Sequence, residues 1–505
     1  MVDVCIVGGG LAGLMLAKNL SSTLNVVIIS DSFTKGNSWL AQGGIAAPLG
    51  ESDAPSFHLQ DTLLVGSKHV DGLAAKEIIE DGERLVRSLV NEGFPVDLTS
   101  DGDLSLGKEA AHSHHRVLHA GGDRTGKFWM KKATTATQSV KRIIASAHSL
   151  VMEDGTCKGV RIVTEQHQVE TLYATTVVLA TGGIGELFGV TSNSSAAKGT
   201  GLSLAYHAGA RLTDLEFIQF HPTIAVDKQG TKGLVTEALR GAGAIFTDQE
   251  GTPLAINPLG PRDVTARLID YHWRNQLPVF LDRTQVEKFS ERFPTAKQVF
   301  KDQQRIAIRP GVHFHMGGIQ TDLGGRTSIP GLYALGEVAC TGLHGGNRLA
   351  SNSLLECIVM GYRVAKDIQS TGAPMTGIRV SKLPEPPTEI RNKDFSQESL
   401  VHYCGILRDE SSETYANSLP LQQWDLANVP VHTIDLLHRY TTSSLLAQSI
   451  SLRKESRGAH FRIDFPSTQD EWNHKVIVHE GNQKWIETRN SSQLKERVYY
   501  ESIHH

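Results

Sequence analysis

The chain opens with a short apolar run, residues 4–7, that passes directly into Gly8, Gly9 and Gly10. A run of that length bounded by turn residues reads as a buried strand, and the small, apolar stretch at 14–20 reads as a helix. A second apolar run at 26–29 repeats the strand signal. Residues 56–93 carry apolar positions at helical spacing (Leu85, Val86, Leu89, Val90), with Gly93, Phe94 and Pro95 as the stop. Residues 175–183 form another strand-then-glycine unit. Between 215 and 314 the rhythm changes: helical patterns at 264–274 and 296–307 are interrupted by Pro222, Pro253, Pro258, Pro261, Pro278 and Pro294.

Strand and glycine signals return at 317–322 and 331–337, so the first unit resumes after an insertion. Pro384, Pro386 and Pro387 mark a linker. Residues 396–457 are then largely helical by pattern, 444–452 included, and 475–478 with 485–488 around Gly481 and Asn482 read as a terminal hairpin. The expected class is α/β. A Rossmann-like dinucleotide-binding domain (1–214 and 315–372) carries an inserted α+β cap (215–314), and a linker (373–393) leads to a C-terminal helical domain (394–505).

Composition narrows the function. A chain of 505 residues exceeds one core. Its 50 basic and 54 acidic residues leave a net charge of -4, which argues against a nucleic-acid surface. The five cysteines are scattered without a C-x-x-C pair, so no zinc or iron–sulfur site is expected from them. The first strand begins too early to leave room for a leader, and no apolar run reaches the roughly 20 residues of a membrane span. A cytoplasmic protein is expected. His112, His114, His115 and His119 invite a metal reading, but no carboxylate or cysteine lies at ligand spacing, and no metal is expected.

Gly8, Gly10 and Gly13 fit G-x-G-x-x-G between a strand and a helix, the context in which phosphates sit on a helix N-terminus. Leu11 and Ala12 complete that turn. An acid is expected after the second strand to hold the adenosine ribose; the chain has Ser30 and then Asp31. Small residues at 36–47 would let backbone lie against a flat ring, which brings in Asn37, Ser38, Gln42, Gly43 and Gly44. Ala180, Thr181 and Gly182 form a second close approach, so the chain holds two dinucleotides or one long cofactor such as FAD.

Seven ordered motifs carry a resemblance. They are 8–13, 41–47, Gln219-Phe220-His221-Pro222, 236–241, Pro261-Arg262-Asp263, His313 before Met316-Gly317-Gly318, and 344–356, with 455–462 matching in the tail. In this order the chain resembles the succinate dehydrogenase/fumarate reductase flavoprotein family. The resemblance implies FAD and a four-carbon dicarboxylate substrate, and the branch to which it is most similar oxidises L-aspartate to iminoaspartate. Electrons would pass to oxygen, giving hydrogen peroxide, or to fumarate. The product would feed quinolinate and NAD synthesis through quinolinate synthase. Asn37 matches the position where membrane-bound relatives bond flavin to a histidine, so the FAD is expected to be non-covalent.

The resemblance places His221 and Thr236 on one substrate carboxylate, and His313 and Arg348 on the other. Gln219 and His344 join as further binding candidates. Such pairing is needed because a desolvated, unpaired carboxylate costs several kcal/mol. Arg262 matches the residue that takes the substrate proton. As arginine stays protonated, it either shuttles that proton or only polarises the carboxylate. Glu237 and Arg240, one helical turn apart, would form the relay that resupplies it. Glu109 would face the substrate amino group. Glu337 would bind a ribityl or ribose hydroxyl, with Asp214 as a further cofactor candidate. Residues 351–354, with Asn352, Ser353 and Leu354, would open a helix toward the flavin. The rival readings are a soluble fumarate reductase or succinate dehydrogenase flavoprotein subunit, and a flavin-binding scaffold without catalysis.

Overall fold

The computed structural model describes residues 2–371 and 396–489 and the backbone of 498–499; the expected linker at 373–393 lies outside the described residues. The opening apolar run forms the strand Val2–Val7, and the helix Leu11–Asn19 follows after three glycines. Gly8 in the turn and Gly13 in the helix admit nothing larger than glycine. Gly8 has φ +127°, and a Cβ there would stand 2.1 Å from the Ala180 carbonyl oxygen. A Cβ on Gly13 would meet the Gly8 carbonyl at 2.2 Å, which is the contact that seats the helix on the strand.

Val2–Val7 lies between Val26–Ser30 and Val169–Leu179 in parallel register, with Leu332–Ala334 beyond the latter and the start of Lys141–Glu153 beyond the former. Lys141–Glu153, Thr156–Thr164 and Val169–Leu179 continue as an antiparallel meander. These strands are buried on both faces near the glycine turn, as parallel sheets require. The helical pattern at 56–93 resolves into two helices, Pro55–Val65 and Gly72–Asn91. They are separated by Ser67 and Lys68, both at positive φ.

The inserted segment is an antiparallel five-stranded sheet, ordered Gly230–Leu234, Ile218–Asp227, Arg305–His315, Val279–Asp282, Ile245–Thr247, with its own apolar core. The helix Arg262–Arg274 packs on Ile218–Asp227. One expectation fails here. The helical pattern at 296–307 gives the helix Pro294–Phe300 and then the strand Arg305–His315. Lys301, at φ +52°, ends the helix, and Ile306 and Ile308 are the buried side of a strand.

The C-terminal helices Gln397–Cys404, Ser411–Ser418 and Val431–Leu452 share one apolar core with a face of the parallel sheet. The terminal hairpin Lys475–Glu480/Gln483–Thr488 forms as expected. It also joins a sheet begun by Leu212–Thr213 and Gly318–Gln320. A buried ion-pair lattice crosses this junction. Arg453 Nε lies 2.6 Å from Glu216 Oε1, and its Nη1 lies 2.9 Å from Glu455, which also pairs with Arg457 at 2.7 Å. Arg489 pairs with Asp214, whose other oxygen meets His69 Nε2 at 2.9 Å.

Candidate active site

A cleft enclosing about 1490 Å³, including its solvent-open part, runs from the glycine turn to the inner face of the inserted sheet. At one end Gly8, Gly10, Leu11, Ala12, Ser30 and Ser32 line it, with the N-terminus of Leu11–Asn19 pointing in. Asn37, Ser38, Gln42, Gly43 and Gly44 line the next stretch, opposite Ala180, Thr181, Gly182 and Glu337. Ser38 Oγ accepts from the Leu11 amide at 3.0 Å. Asn37 Oδ1 accepts from the Ser194 amide at 2.8 Å. At the far end stand Glu109, His221, Thr236, Glu237, Arg262, His313 and Arg348.

The far end is organised by carboxylate and amide bridges. Glu237 Oε2 accepts from Arg262 Nε at 2.6 Å, and Arg240 Nη2 lies 3.5 Å from the same oxygen. Glu237 Oε1 takes the Ala110 amide at 3.1 Å, which ties the inserted segment to the loop bearing Glu109. Gln219 Oε1 accepts from Arg262 Nη1 at 3.2 Å and Arg348 Nη2 at 3.0 Å, so one amide oxygen holds two guanidinium groups. Burial alone would raise the Glu237 carboxyl, but Arg262 and Arg240 outweigh it and hold the group at about 2. Burial, then the neighbouring Arg262, brings Arg348 down to about 9.

Both histidines facing the cleft are neutral: burial, reinforced by nearby arginines, pushes His221 and His313 well below the usual range. The Thr223 amide donates to His221 Nδ1 at 3.3 Å. An N–H only donates, so Nδ1 is the acceptor and the proton sits on Nε2. His313 Nδ1 is 2.7 Å from Ser192 Oγ, and its carbonyl accepts from Asn193 Nδ2 at 3.0 Å. Ser192, Asn193 and Phe314 line the cleft but are not among the expected residues. They sit in loop and strand positions with no motif of their own.

Seven expected residues do not line the cleft: Gly13 packs on the Gly8 carbonyl, Gln219 bridges Arg262 and Arg348, and five stand elsewhere. Asp31 turns into solvent at the end of its strand, leaving Ser30 and Ser32 on the cleft. Asp214 is buried against the neutral His69 ring and the Arg489 guanidinium, and those partners account for it. His344 Nε2 is held by Glu356 at 3.0 Å, with its ring edge on Phe314. The Asn352 side chain bonds His58 at 2.7 Å and Thr62 at 3.1 Å, away from the cleft that Ser353 and Leu354 line. Arg240 stays behind Glu237, donating to the Pro258 carbonyl. Of the histidine run, His112 bonds the Ala350 carbonyl at 3.0 Å and His114 stacks on Phe57. No group of three metal-ligating side chains occurs among the described residues.

The family model for an FAD binding domain matches residues 3–354, and that for the fumarate reductase flavoprotein C-terminus matches 397–501. L-aspartate oxidase of Bacillus subtilis (strain 168) is 39% identical, with 94% of this chain and 93% of the relative covered. That of Mesorhizobium japonicum is 40% identical over 91% of each. The chain belongs to the L-aspartate oxidase family.

It is thus an FAD-dependent oxidoreductase of the L-aspartate oxidase family, with the fold of the larger flavoprotein group. A mutant FrdA of Escherichia coli quinol fumarate reductase superposes with a TM-score of 0.83 at 24% identity, covering 99% of this chain and 96% of that one. Mycobacterium smegmatis Sdh1 gives 0.79 at 27% identity, covering 99% and 94%. The cleft fits the cofactor that membership of the L-aspartate oxidase family brings. Thr181 Oγ1, Asn193 Oδ1 and Gln42 Oε1 are buried on its wall with no partner among the described residues, and the Gly8 turn leaves backbone open to a pyrophosphate. No helix among the described residues is long and apolar enough to cross a membrane.

Proposed function

We propose that this protein oxidises L-aspartate to iminoaspartate. The observation that carries the reading is the convergence of Arg262, Arg348, His221, His313 and Thr236 with two carboxylates at the end of the cleft, Glu237 already paired to Arg262 and Glu109 free of any cation within ion-pair distance among the described residues. Gly8, Leu11, Ala12, Ser30, Asn37, Ser38, Gln42–Gly44, Thr181, Glu337, Ser353 and Leu354 would hold FAD, non-covalently. The flavin supplies a two-electron acceptor for the substrate Cα hydride.

The side chains of this chain do the remaining work. Arg348 and His313 take one substrate carboxylate, Arg348 as a planar fork. His221 Nε2–H and the Thr236 hydroxyl donate to the other. These donors, largely buried and held in place before substrate arrives, fix the Cα–H bond and the amine in one orientation. The amine proton leaves through Arg262 to Glu237, which rests as an anion 2.6 Å away, with Arg240 behind it. Glu109 faces the substrate ammonium, so a dicarboxylate without an amine leaves that carboxylate unanswered.

Electrons pass on to oxygen, forming hydrogen peroxide, or to fumarate. The product enters quinolinate and NAD synthesis through quinolinate synthase, in the cytoplasm. Anaerobic bleaching of the yellow holoenzyme tests the proposal. L-Aspartate bleaches it rapidly, while succinate, D-aspartate and L-glutamate do not, and air or fumarate restores the colour. Bleaching by succinate in preference to L-aspartate would move the protein to the respiratory branch.

A further inference from the structure

Glu109 is held by a single side chain. Its Oε2 accepts from Ser351 Oγ at 2.8 Å, and no other side-chain or backbone donor reaches the carboxylate among the described residues. The Gly44 amide in turn donates to Ser351 Oγ at 3.2 Å. Because an amide N–H only donates, it occupies the acceptor side of the hydroxyl, and the one hydroxyl hydrogen goes to Glu109. The chain of donors therefore has a fixed direction, from Gly44 through Ser351 to Glu109.

Three further features fit a built arrangement. Ser351 stands at φ +64°, a left-handed backbone that a residue with a side chain seldom adopts, between the Arg348 loop and the helix Asn352–Thr371. Its carbonyl accepts from the Ala46 amide at 3.1 Å, fixing the same residue from the backbone side. Gly43 leaves open the space beside the other carboxylate oxygen: a Cβ there would stand 3.2 Å from Glu109 Oε1 and 3.4 Å from Ser351 Oγ. All three residues line the cleft.

We infer that Ser351 is the positioning residue for amine recognition: its hydroxyl ties down Glu109 Oε2 so that Oε1 is presented to the substrate ammonium. The inference rests on the reading of Glu109 given above. It makes discrimination between an amino dicarboxylate and a plain one depend on a residue that need not touch the substrate. Without the hydroxyl, the buried carboxylate loses the one donor it has among the described residues and is free to turn toward the neighbouring Arg348 guanidinium, whose charge it already feels.

The test compares Ser351→Gly, which suits the positive φ while deleting the hydroxyl, with Ser351→Ala and Glu109→Gln in the FAD holoenzyme. The concentration dependence of anaerobic flavin reduction gives the L-aspartate Kd, and flavin absorbance perturbation gives the succinate Kd. Ser351→Gly and Ser351→Ala should each weaken L-aspartate about tenfold, the worth of one charge-assisted hydrogen bond, and move succinate less than about twofold. Combined with Glu109→Gln, Ser351→Gly should add no further loss for L-aspartate. Equal weakening of both ligands, or full additivity in the double variant, overturns the role of Ser351. A Glu109→Gln variant that weakens both ligands alike overturns instead the reading of Glu109 on which it rests.

Discussion

Arg262 Nε donates to Glu237 Oε2 at 2.6 Å, and the same carboxylate anchors the Ala110 amide through its other oxygen at 3.1 Å. One acid thus fixes a guanidinium on the inserted segment and the loop that carries Glu109.

Glu237→Gln keeps the shape of that bridge and removes its charge. Substrate-dependent flavin reduction, followed by stopped flow, should slow on the order of 10²-fold or more, as loss of a positioned proton acceptor does. The succinate Kd should change less than about tenfold. An unchanged reduction rate removes Glu237 from the proton path.

Arg348 is buried and shares Gln219 Oε1 with Arg262. Replacing it by Leu removes a bidentate carboxylate partner worth roughly 3–5 kcal/mol in a buried setting. Dicarboxylate binding by calorimetry should therefore weaken by about 10²-fold or more for aspartate and succinate alike, in contrast to the selective effect expected at Ser351. A selective loss would place Arg348 on the amine side.

Asn37 gives its side-chain oxygen to the Ser194 amide and offers no nucleophile to a flavin ring. Acid precipitation of the purified protein should release all yellow colour to the supernatant. Colour retained in the pellet contradicts a non-covalent cofactor.

Burial holds His58, His207 and His479 at about 3, and His69, His315 and His438 at about 4, against an ordinary 6.5. Each is neutral in the fold and takes up a proton on unfolding below its ordinary value. Their contribution is whole above pH 6.5 and is progressively lost as pH falls toward the folded values, each at up to about 1.4 kcal/mol per pH unit. Thermal denaturation should give a Tm that is level from pH 8 to about 7 and drops steeply toward pH 5. A Tm unchanged at pH 5 would show that these rings are hydrated.

The glycine turn is legible in the sequence because its chemistry is local: Gly13 is fixed by contact with Gly8 itself, within one strand–turn–helix unit. Ordered motifs also bring Arg262, His313 and Arg348 together from the sequence alone. What escapes depends on neighbours distant in the chain. Asp214 looks free in sequence, and only the packing of Arg489 shows it already engaged. Ser192 carries no pattern of its own, and Ser351 reads only as the opening of a helix; their contacts with His313 and Glu109 come from side chains more than a hundred positions away. The strand Arg305–His315 reads as helix in part because its apolar positions follow a helix without a marked stop other than Lys301.

The lattice of Arg453, Glu216, Glu455 and Arg457 ties the middle of this chain to its C-terminal part through buried charge. A chain cut ahead of the C-terminal helices would keep Glu216 and Asp214 in its interior without the cations Arg453 and Arg489, while the severed piece would carry Arg489 without its anion and Arg453 with Glu455 alone. Each fragment alone would hold uncompensated charge at its heart, and the halves would have to meet before either could finish folding. During synthesis, then, the segment that leads into the strand Ile218–Asp227 acquires its buried cations only after Arg453 and Arg489 have left the ribosome.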